Sequence, residues 1–457
     1  MSQDVRSRLI RGFAAQGFGQ VITTIIQIVS VPLFVHYWGK VVYGEWLLLS
    51  TVPAYFALSD LGFANAAGTE MTMRVARGDR QGALEVFQSA WALVTGVTLA
   101  LTLSVIFLTQ LLPIAHWLKL STLSHHEVSF VITILVIQLF FDLQTGLLGL
   151  GYRIDGHFAA GTMIRNFLRL AEFSAGVAAL LLGAHLIGVA LAMMLTRLVG
   201  NILTVADCRR RSPWLVFGIQ YASRKTLKTL VSPAFSFMGF PLGIALSLQG
   251  ILTVVGVVLG PVAVVIFSTL RTLSRVVYQL MSAITHTVWV EMSTAFGAGD
   301  ISLARRLHRR TCQAAIWLSI PLSTLLFICG RTIMQVWTHG TIPYEPTLFA
   351  LLLLVVVCNS FWSTSYVTLI AVNRHQKLAV IYVVATAISL GIALALAHLW
   401  GMPGAALGLL VIDAFMISYV VSRSLELVQD TPLGFIRAVL APPLPKRRRT
   451  KLAGESL

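Results

Sequence analysis

The chain is poor in charge: Asp, Glu, Lys and Arg make up 11% of its 457 residues, while hydrophobic residues make up 56%. A soluble domain carries about a quarter charged residues, and a mean hydropathy of +0.81 excludes that class here. Cysteine is scarce too. Cys208, Cys312, Cys329 and Cys358 form no CxxC pair, and three of them sit in or beside apolar runs. They read as small core residues rather than a disulfide or thiolate-metal framework. No GxxxxGK[ST] sequence occurs, which removes nucleotide hydrolysis by the Walker route. HExxH is missing as well, and no cluster of acids suggests a metal site. No catalytic residue, metal or cofactor is expected, and the chain is not expected to be an enzyme.

What is present is a series of apolar runs far longer than the 9–11 residues of a barrel strand, so the spans are helical. Windows of ~20 residues place twelve of them at roughly 12–37, 44–66, 83–112, 128–150, 162–182, 187–205, 231–259, 262–290, 311–336, 348–372, 378–400 and 404–425. Residues 1–11 are polar and the first apolar run continues past Val35, so no cleavable signal peptide is expected. The net charge of +16 resides in loops and tails. It reports topology and attraction to anionic lipid rather than to nucleic acid. One side of the membrane collects Arg74, Arg77, Arg80, Arg209, Arg210, Arg211, Arg305, Arg306, Arg309, Arg310 and the tail from Lys446 to Lys451, and the opposite side holds only Lys40, Lys119 and Arg331. That asymmetry predicts both termini in the cytoplasm.

The expected organisation is an N-terminal six-helix bundle (1–207), a cytoplasmic amphipathic linker (208–229), a C-terminal six-helix bundle (230–425) and a basic cytoplasmic tail (426–457). In the linker, Trp214-Leu215-Val216-Phe217 between arginines reads as an interfacial segment. The tail from Pro442 to Arg449 reads as disordered and drawn to anionic headgroups. An internal repeat links the halves. Residues 70–79, with Glu70, Gly78 and Asp79, match 291–300, with Glu291, Gly299 and Asp300, at an offset of 221. Gly39 pairs with Gly260 at the same offset, and Leu186-Ile-Gly-Val-Ala-Leu191 answers Met402-Pro-Gly-Ala-Ala-Leu407 at a slightly shorter one. An even number of spans in each half makes the repeats parallel, about a pseudo-two-fold axis along the membrane normal. This all-α arrangement is that of alternating-access transporters and leaves the cargo open.

Charges inside the spans carry the functional reading. Arg271 and Arg275, four apart, share one helix face, with Arg271 roughly 13 Å below the outer surface at ~1.5 Å per residue. One arginine at the bilayer centre costs roughly 2.5–3.5 kcal/mol against lipid, so a water-filled cavity and an anion suit the pair better. Arg165, Arg169 and Glu172 form one stripe on the fifth span, and Arg197 on the sixth falls near the midplane. Forked guanidiniums suit a phosphate or diphosphate. The alternatives stay open: Arg169 and Glu172 neutralise each other, Arg165 snorkels to the surface, or Asp60, Asp142 or Asp413 from a neighbouring helix neutralises Arg271 and Arg275. Asp60 either caps a break near Gly62 and Pro53 or binds a coupling cation, and Asp413 is a second candidate for ion coupling. Glu70 and Glu291 read as salt-bridge partners, and Trp362 and Tyr278 as packing residues.

The run Trp38-Gly39-Lys40-Val41-Val42-Tyr43-Gly44-Glu45-Trp46, then Leu58-Ser59-Asp60-Leu61-Gly62, resembles the bacterial polysaccharide transporter (O-antigen flippase) family of the multidrug/oligosaccharidyl-lipid/polysaccharide exporter superfamily. Arg271-Thr-Leu-Ser-Arg275 and the Gly299-Asp300 turn are similar to the corresponding place in its second half. The resemblance implies a bacterial inner-membrane flippase that moves an isoprenoid-diphosphate-linked oligosaccharide to the periplasmic leaflet. Its cationic cavity would map onto Arg165, Arg169, Arg197, Arg271 and Arg275. The implied partners are that lipid-linked oligosaccharide, anionic membrane lipids and polysaccharide polymerase machinery, with the chain itself a monomer. Two other functions compete. A drug or organic-cation exporter of the same fold should carry cavity acids, and a membrane polymerase or glycosyltransferase should carry a substantial catalytic loop, which this chain lacks.

Overall fold

The structure is a computed structural model that describes residues 3–56, 62–372 and 376–442. Helices dominate it. The first half runs α1 (Gln3–Leu49), α2 (Thr51–Phe56), α3 (Phe63–Ala76), α4 (Arg80–Leu111), the short α5 (Ile114–Trp117), α6 (His125–Ile154), α7 (Phe158–Leu181) and α8 (Leu186–Arg211). The second half runs α9 (Arg224–Ala245), a π-helical turn (Leu246–Gly250), α10 (Ile251–Leu259), α11 (Pro261–Gly297), α12 (Ile301–Trp337), α13 (Pro346–Ser365), α14 (Val367–Ala371), α15 (Gln376–Leu427) and α16 (Pro432–Leu440).

Among the described residues, nine helical stretches are long and apolar enough to cross a membrane. Two of them are double crossings. Ala14–Phe56 turns at Gly39 (φ 73°, ψ 175°), and Lys377–Leu427 turns at Gly401 (φ 65°, ψ −143°). A tenth helix, Phe158–Leu181, has the length but carries Arg165, Arg169 and Glu172, so composition alone passes over it. These account for the twelve expected spans. The second span breaks at Gly62, whose backbone is left-handed (φ 74°), while Asp60, placed at this break from sequence, lies outside the described residues.

The repeat is written into the backbone. Gly260 (φ 85°, ψ 176°) ends α10 in the conformation that Gly39 adopts 221 residues earlier. The turn at Gly78-Asp79 recurs at Gly299-Asp300 bond for bond. Gly78 N–H donates to Val75 O and Asp79 N–H to Arg74 O, while Gly299 N–H donates to Phe296 O and Asp300 N–H to Ala295 O, all at 2.9–3.1 Å. Both glycines have positive φ, 81° and 71°. Each aspartate then caps the next helix: Asp79 Oδ1 accepts from Gly82 N (2.7 Å) and Asp300 Oδ1 from Leu303 N (2.8 Å). Such caps contribute about 1 kcal/mol. The Ser302 hydroxyl and the Leu303 N–H hold the Asp300 carboxyl below its ordinary value.

Residue contacts group the chain into two compact units. One holds Met1–Leu273, Gly330–Leu351 and Gln376–Ile412; the other holds Ser274–Cys329, Leu352–His375 and Asp413–Leu457. In the first, Met71, Val86, Phe87, Leu147, Cys208 and Leu215 belong to one buried apolar cluster. The linker joins this cluster, so the interfacial segment expected at 214–217 is half docked. Leu215 is buried, the Phe217 ring packs 5.7 Å from Phe87, and Trp214 Nε1 donates to Asp155 Oδ2 (3.1 Å). In the second unit α16 does the same to α12, stacking Phe435 4.9 Å from the ring of His308. Phe87 and His308 are 221 residues apart. Each half therefore ends in a strap across the start of its own third span. Arg309 Nε donates to Asp430 Oδ2 (2.7 Å) beside this stack. Burial raises the Asp430 carboxyl, but the bonds and charge of Arg309 more than offset it and leave it below its ordinary value.

Candidate functional site

The stripe expected on the fifth span is present on α7, but its charges find partners the spacing did not suggest. Glu172 turns to α8, where Arg197 Nη2 lies 3.0 Å from Glu172 Oε2 and 3.0 Å from Asp142 Oδ2 of α6. Gln138, one turn before Asp142 on α6, donates its amide to the other oxygen of Glu172. Three helices are thus joined through one guanidinium, and the side chains of Arg197 and Glu172 are only 12% and 10% exposed. Arg197, which the resemblance maps onto the cationic cavity, thus has its charge answered by two carboxylates in this structure. Charge-assisted bonds of this kind are about twice as strong as neutral ones.

Arg169 does not pair with Glu172. Its Nη1 donates to Thr23 Oγ1 of α1 (2.7 Å), and the side chain is otherwise exposed. Arg165 is exposed at a cavity of about 320 Å³, lined also by Asp142, Thr145, Tyr152, Thr162 and Thr204. Around this cavity and the triad, the buried Thr162 Oγ1, Arg197 Nε and both amide atoms of Asn201 have no hydrogen-bond partner in the protein. Buried polar groups left so cost about 1–3 kcal/mol each. The surroundings of the triad are therefore polar, the setting in which the charges of α7 are tolerable.

Arg271 lies in the same compact unit as Arg165, Arg169 and Arg197, and Arg275 in the other. On α11, Arg271 Nη1 donates to Leu248 O (2.7 Å), and its guanidinium sits 6.0 Å from the Phe267 ring centroid. Leu248 belongs to the π-helical turn. A π turn shifts the backbone bond pattern by one residue and often marks a functional position; here it supplies a carbonyl to an arginine. Arg275 lies over the ring of Tyr278 at 5.9 Å, so that tyrosine is a cation partner as well as a packing residue.

Asp413 is 3% exposed, and its Oδ1 accepts from Trp362 Nε1 (2.8 Å) and Asn359 Nδ2 (3.5 Å), both of α13. Trp362 thus has a hydrogen-bonding role beyond packing. By the repeat, Asn359 answers Gln138 at an offset of 221, and Asp413 answers Arg197 at the offset that joins Leu186 to Met402. Two of the acids offered from sequence as neutralisers of Arg271 and Arg275, Asp142 and Asp413, are engaged in these other contacts. Glu70 pairs with Arg74 as expected (2.8 Å).

One charged residue escaped the sequence reading. Glu45 is fully buried at the sparsely charged end of the second span, where its carboxylate accepts from the backbone of Ser121 (2.6 Å) and Thr122 (2.9 Å). It anchors the loop before α6 against the turn at Gly39. An acid inside an apolar run was the signal, but its partners lie 76 and 77 residues away.

No protein-family model matches the chain, and no curated protein matches it. Solved structures do. A structure described as the inward-facing conformation of a multidrug resistance MATE family transporter of the MOP superfamily superposes with a TM-score of 0.76 at 11% identity, covering 92% of this chain and 98% of that one. The outward-facing conformation of a transporter so described gives 0.62 at 12%, with 92% and 95% covered. A MOP superfamily transporter from Pyrococcus furiosus Vc1 (DSM3638), described as having a binding pocket of reversed polarity that suggests a different function, gives 0.61 at 12%, with 93% and 96% covered. The chain has the fold of these transporters.

Proposed function

We propose that this chain is an alternating-access membrane transporter. The observation that carries the reading is the likeness, over more than nine-tenths of the chain, to structures described as inward-facing and outward-facing forms of one transporter type. The duplicated backbone agrees with it, since two parallel repeats about a shared axis are the usual scaffold for exposing one site to each side in turn.

Two cargo classes remain in competition. The first is an isoprenoid-diphosphate-linked oligosaccharide, flipped from the cytoplasmic to the periplasmic leaflet of a bacterial inner membrane. Its support is the predominance of guanidinium within the spans, at Arg165, Arg169, Arg197, Arg271 and Arg275. A diphosphate accepts forked bonds from such groups. The second is a drug or organic cation. The described functions of the solved relatives favour it, and an interior rich in guanidinium weighs against it. Asp60 and Asp413 are the ion-coupling candidates in this scheme.

Reconstituted vesicles separate the two. A fluorescent isoprenoid-diphosphate oligosaccharide should lose its accessibility on the loading side in vesicles of the wild-type protein. That movement should vanish in the Arg271→Ala, Arg275→Ala double variant, whose folding is checked by its thermal transition. Gradient-driven efflux of an organic cation such as ethidium, unchanged in that variant, would establish the second reading and dismiss the first.

A further inference from the structure

The second compact unit closes with a helix whose two faces differ. α16 is capped by Thr431, whose hydroxyl accepts from Gly434 N (3.2 Å), with Pro432 opening the first turn. Phe435 and Val439 are buried against α12. Leu433, Ile436 and Leu440 point the other way and are 62%, 52% and 62% exposed. At 100° per residue these three share one face, with the exposed Arg437 at its edge.

The anchors show how α16 lies. Its start is tied at Arg309 through Asp430, while Trp317 Nε1 donates to Val439 O (3.2 Å) and Gln313 Nε2 to Ala441 O (2.7 Å). Gln313 and Trp317 are four and eight residues beyond Arg309, so the far end of α16 sits about 6–12 Å further along α12 at ~1.5 Å per residue. That displacement runs from the basic first turns of α12 into its apolar run. Around the upper anchors Trp317, Leu318 and Ile320 are themselves exposed, which makes the outward face of α16 continuous with the apolar belt of a membrane-crossing helix. Around the lower anchors Arg306 and Arg310 are exposed.

We propose that the outward face of α16, Leu433, Ile436 and Leu440 edged by Arg437, docks into the lipid leaflet on the basic side of the protein and prefers acidic headgroups. An amphipathic helix of this kind buries its apolar face about 5–10 Å into the boundary between headgroups and acyl chains, and basic residues at its rim add attraction to anionic lipid. The strap of the first half repeats the pattern, with Val216, Ile219 and Tyr221 exposed and Arg224 and Lys225 following. The inference concerns how the protein sits in its membrane and holds for either cargo.

The test uses the full chain in lipid nanodiscs, with an NBD label on Ile436→Cys, a reference label on Ala298→Cys in the exposed turn before α12, and unsubstituted protein to subtract labelling of native cysteines. In discs containing phosphatidylglycerol, the label at 436 should show blue-shifted emission and quenching by shallow doxyl lipid. The label at 298 should respond to aqueous iodide instead. Adding Arg437→Glu should weaken the doxyl quenching in phosphatidylglycerol discs and leave it unchanged in phosphatidylcholine discs. The variant Leu433→Ser, Ile436→Ser, Leu440→Ser, which leaves the buried face intact, should lose the rise in thermal midpoint that phosphatidylglycerol gives the wild type. Iodide quenching at 436 equal to that at 298 would place the face in water and overturn the proposal. Protection that disappears when the protein is diluted to one copy per disc would assign the face to a second copy and overturn it equally.

Discussion

Arg197 and Asp413 stand at equivalent positions on the sixth span of each half, and each faces the fourth span of its own half. There the likeness stops. Arg197 is held by two carboxylates from two helices, whereas Asp413 is held by the dipoles of an indole and an amide from one. Opposite charges in one register mean that duplication preserved the scaffold and not the interior. The turns at Gly39 and Gly260 and at Gly78 and Gly299 kept their dihedral angles because backbone geometry constrains them. The interior was free to change sign, which leaves the two halves with polar interiors of unequal charge. It also gives the halves unequal modes of failure. Removing a cation from between two acids exposes charge to charge; removing a neutral donor exposes one acid to an apolar neighbourhood.

The largest effect should therefore follow Arg197→Ala. Breaking a buried ion pair from one side costs about 3–5 kcal/mol, and the partial exposure of Asp142 (35%) argues for the lower end. A fall of about 3 kcal/mol is expected, read as a lowered thermal midpoint of the purified protein in detergent. Adding Asp142→Asn and Glu172→Gln should restore most of it, since the uncompensated charges go with the arginine. A mild Arg197→Ala would erase the contrast between the halves. Next comes Trp362→Phe, which leaves Asp413 Oδ1 with the 3.5 Å contact from Asn359 among its two donors. A hydrogen bond to a charged group is worth about 1.5–3 kcal/mol, so a loss of about 2 kcal/mol is expected by the same measurement. Asp413→Asn placed on that background should recover part of the loss, and a recovery as large as in the Arg197 series would mean that both halves are governed by charge after all.

These contrasts also explain what was legible beforehand. The twelve crossings, the basic side and the repeat depend on composition and short local patterns, which a membrane makes unusually plain: apolar length is set by the bilayer, and glycine with positive φ marks each reversal. The partners of Glu172, Asp413 and Glu45 were not legible, because they lie on another helix or, for Glu45, in a loop, 25 to 77 residues away. Along one helix Arg169 and Glu172 are neighbours by spacing, yet α8 offered Glu172 a guanidinium at 3.0 Å and α1 offered Arg169 a hydroxyl. Periodicity fixes which face a side chain occupies; only packing decides which helix meets that face. The inner contacts of the linker were hidden for the same reason. Trp214 and Phe217 have an interfacial composition, but Asp155 and Phe87 provide them with a partner inside the bundle.

The smallest expected effect tests the conserved side of the comparison. Gly78 and Gly299 occupy the same left-handed position, and a Cβ added to either meets nothing within 4 Å. Alanine there suffers backbone strain alone, about 1 kcal/mol for a non-glycine residue in this region. Gly78→Ala and Gly299→Ala should therefore lower the thermal midpoint by equal amounts, whatever surrounds them. Asparagine at either site should cost less than alanine, because its side chain tolerates the left-handed conformation by bonding locally. Equal penalties at two turns in differently packed parts of the chain would show that the repeat is maintained by the backbone. A penalty at one turn and none at the other would mean that one half has released its turn from that constraint, and the equivalence drawn between Arg197 and Asp413, which rests on the same register, would lose its footing.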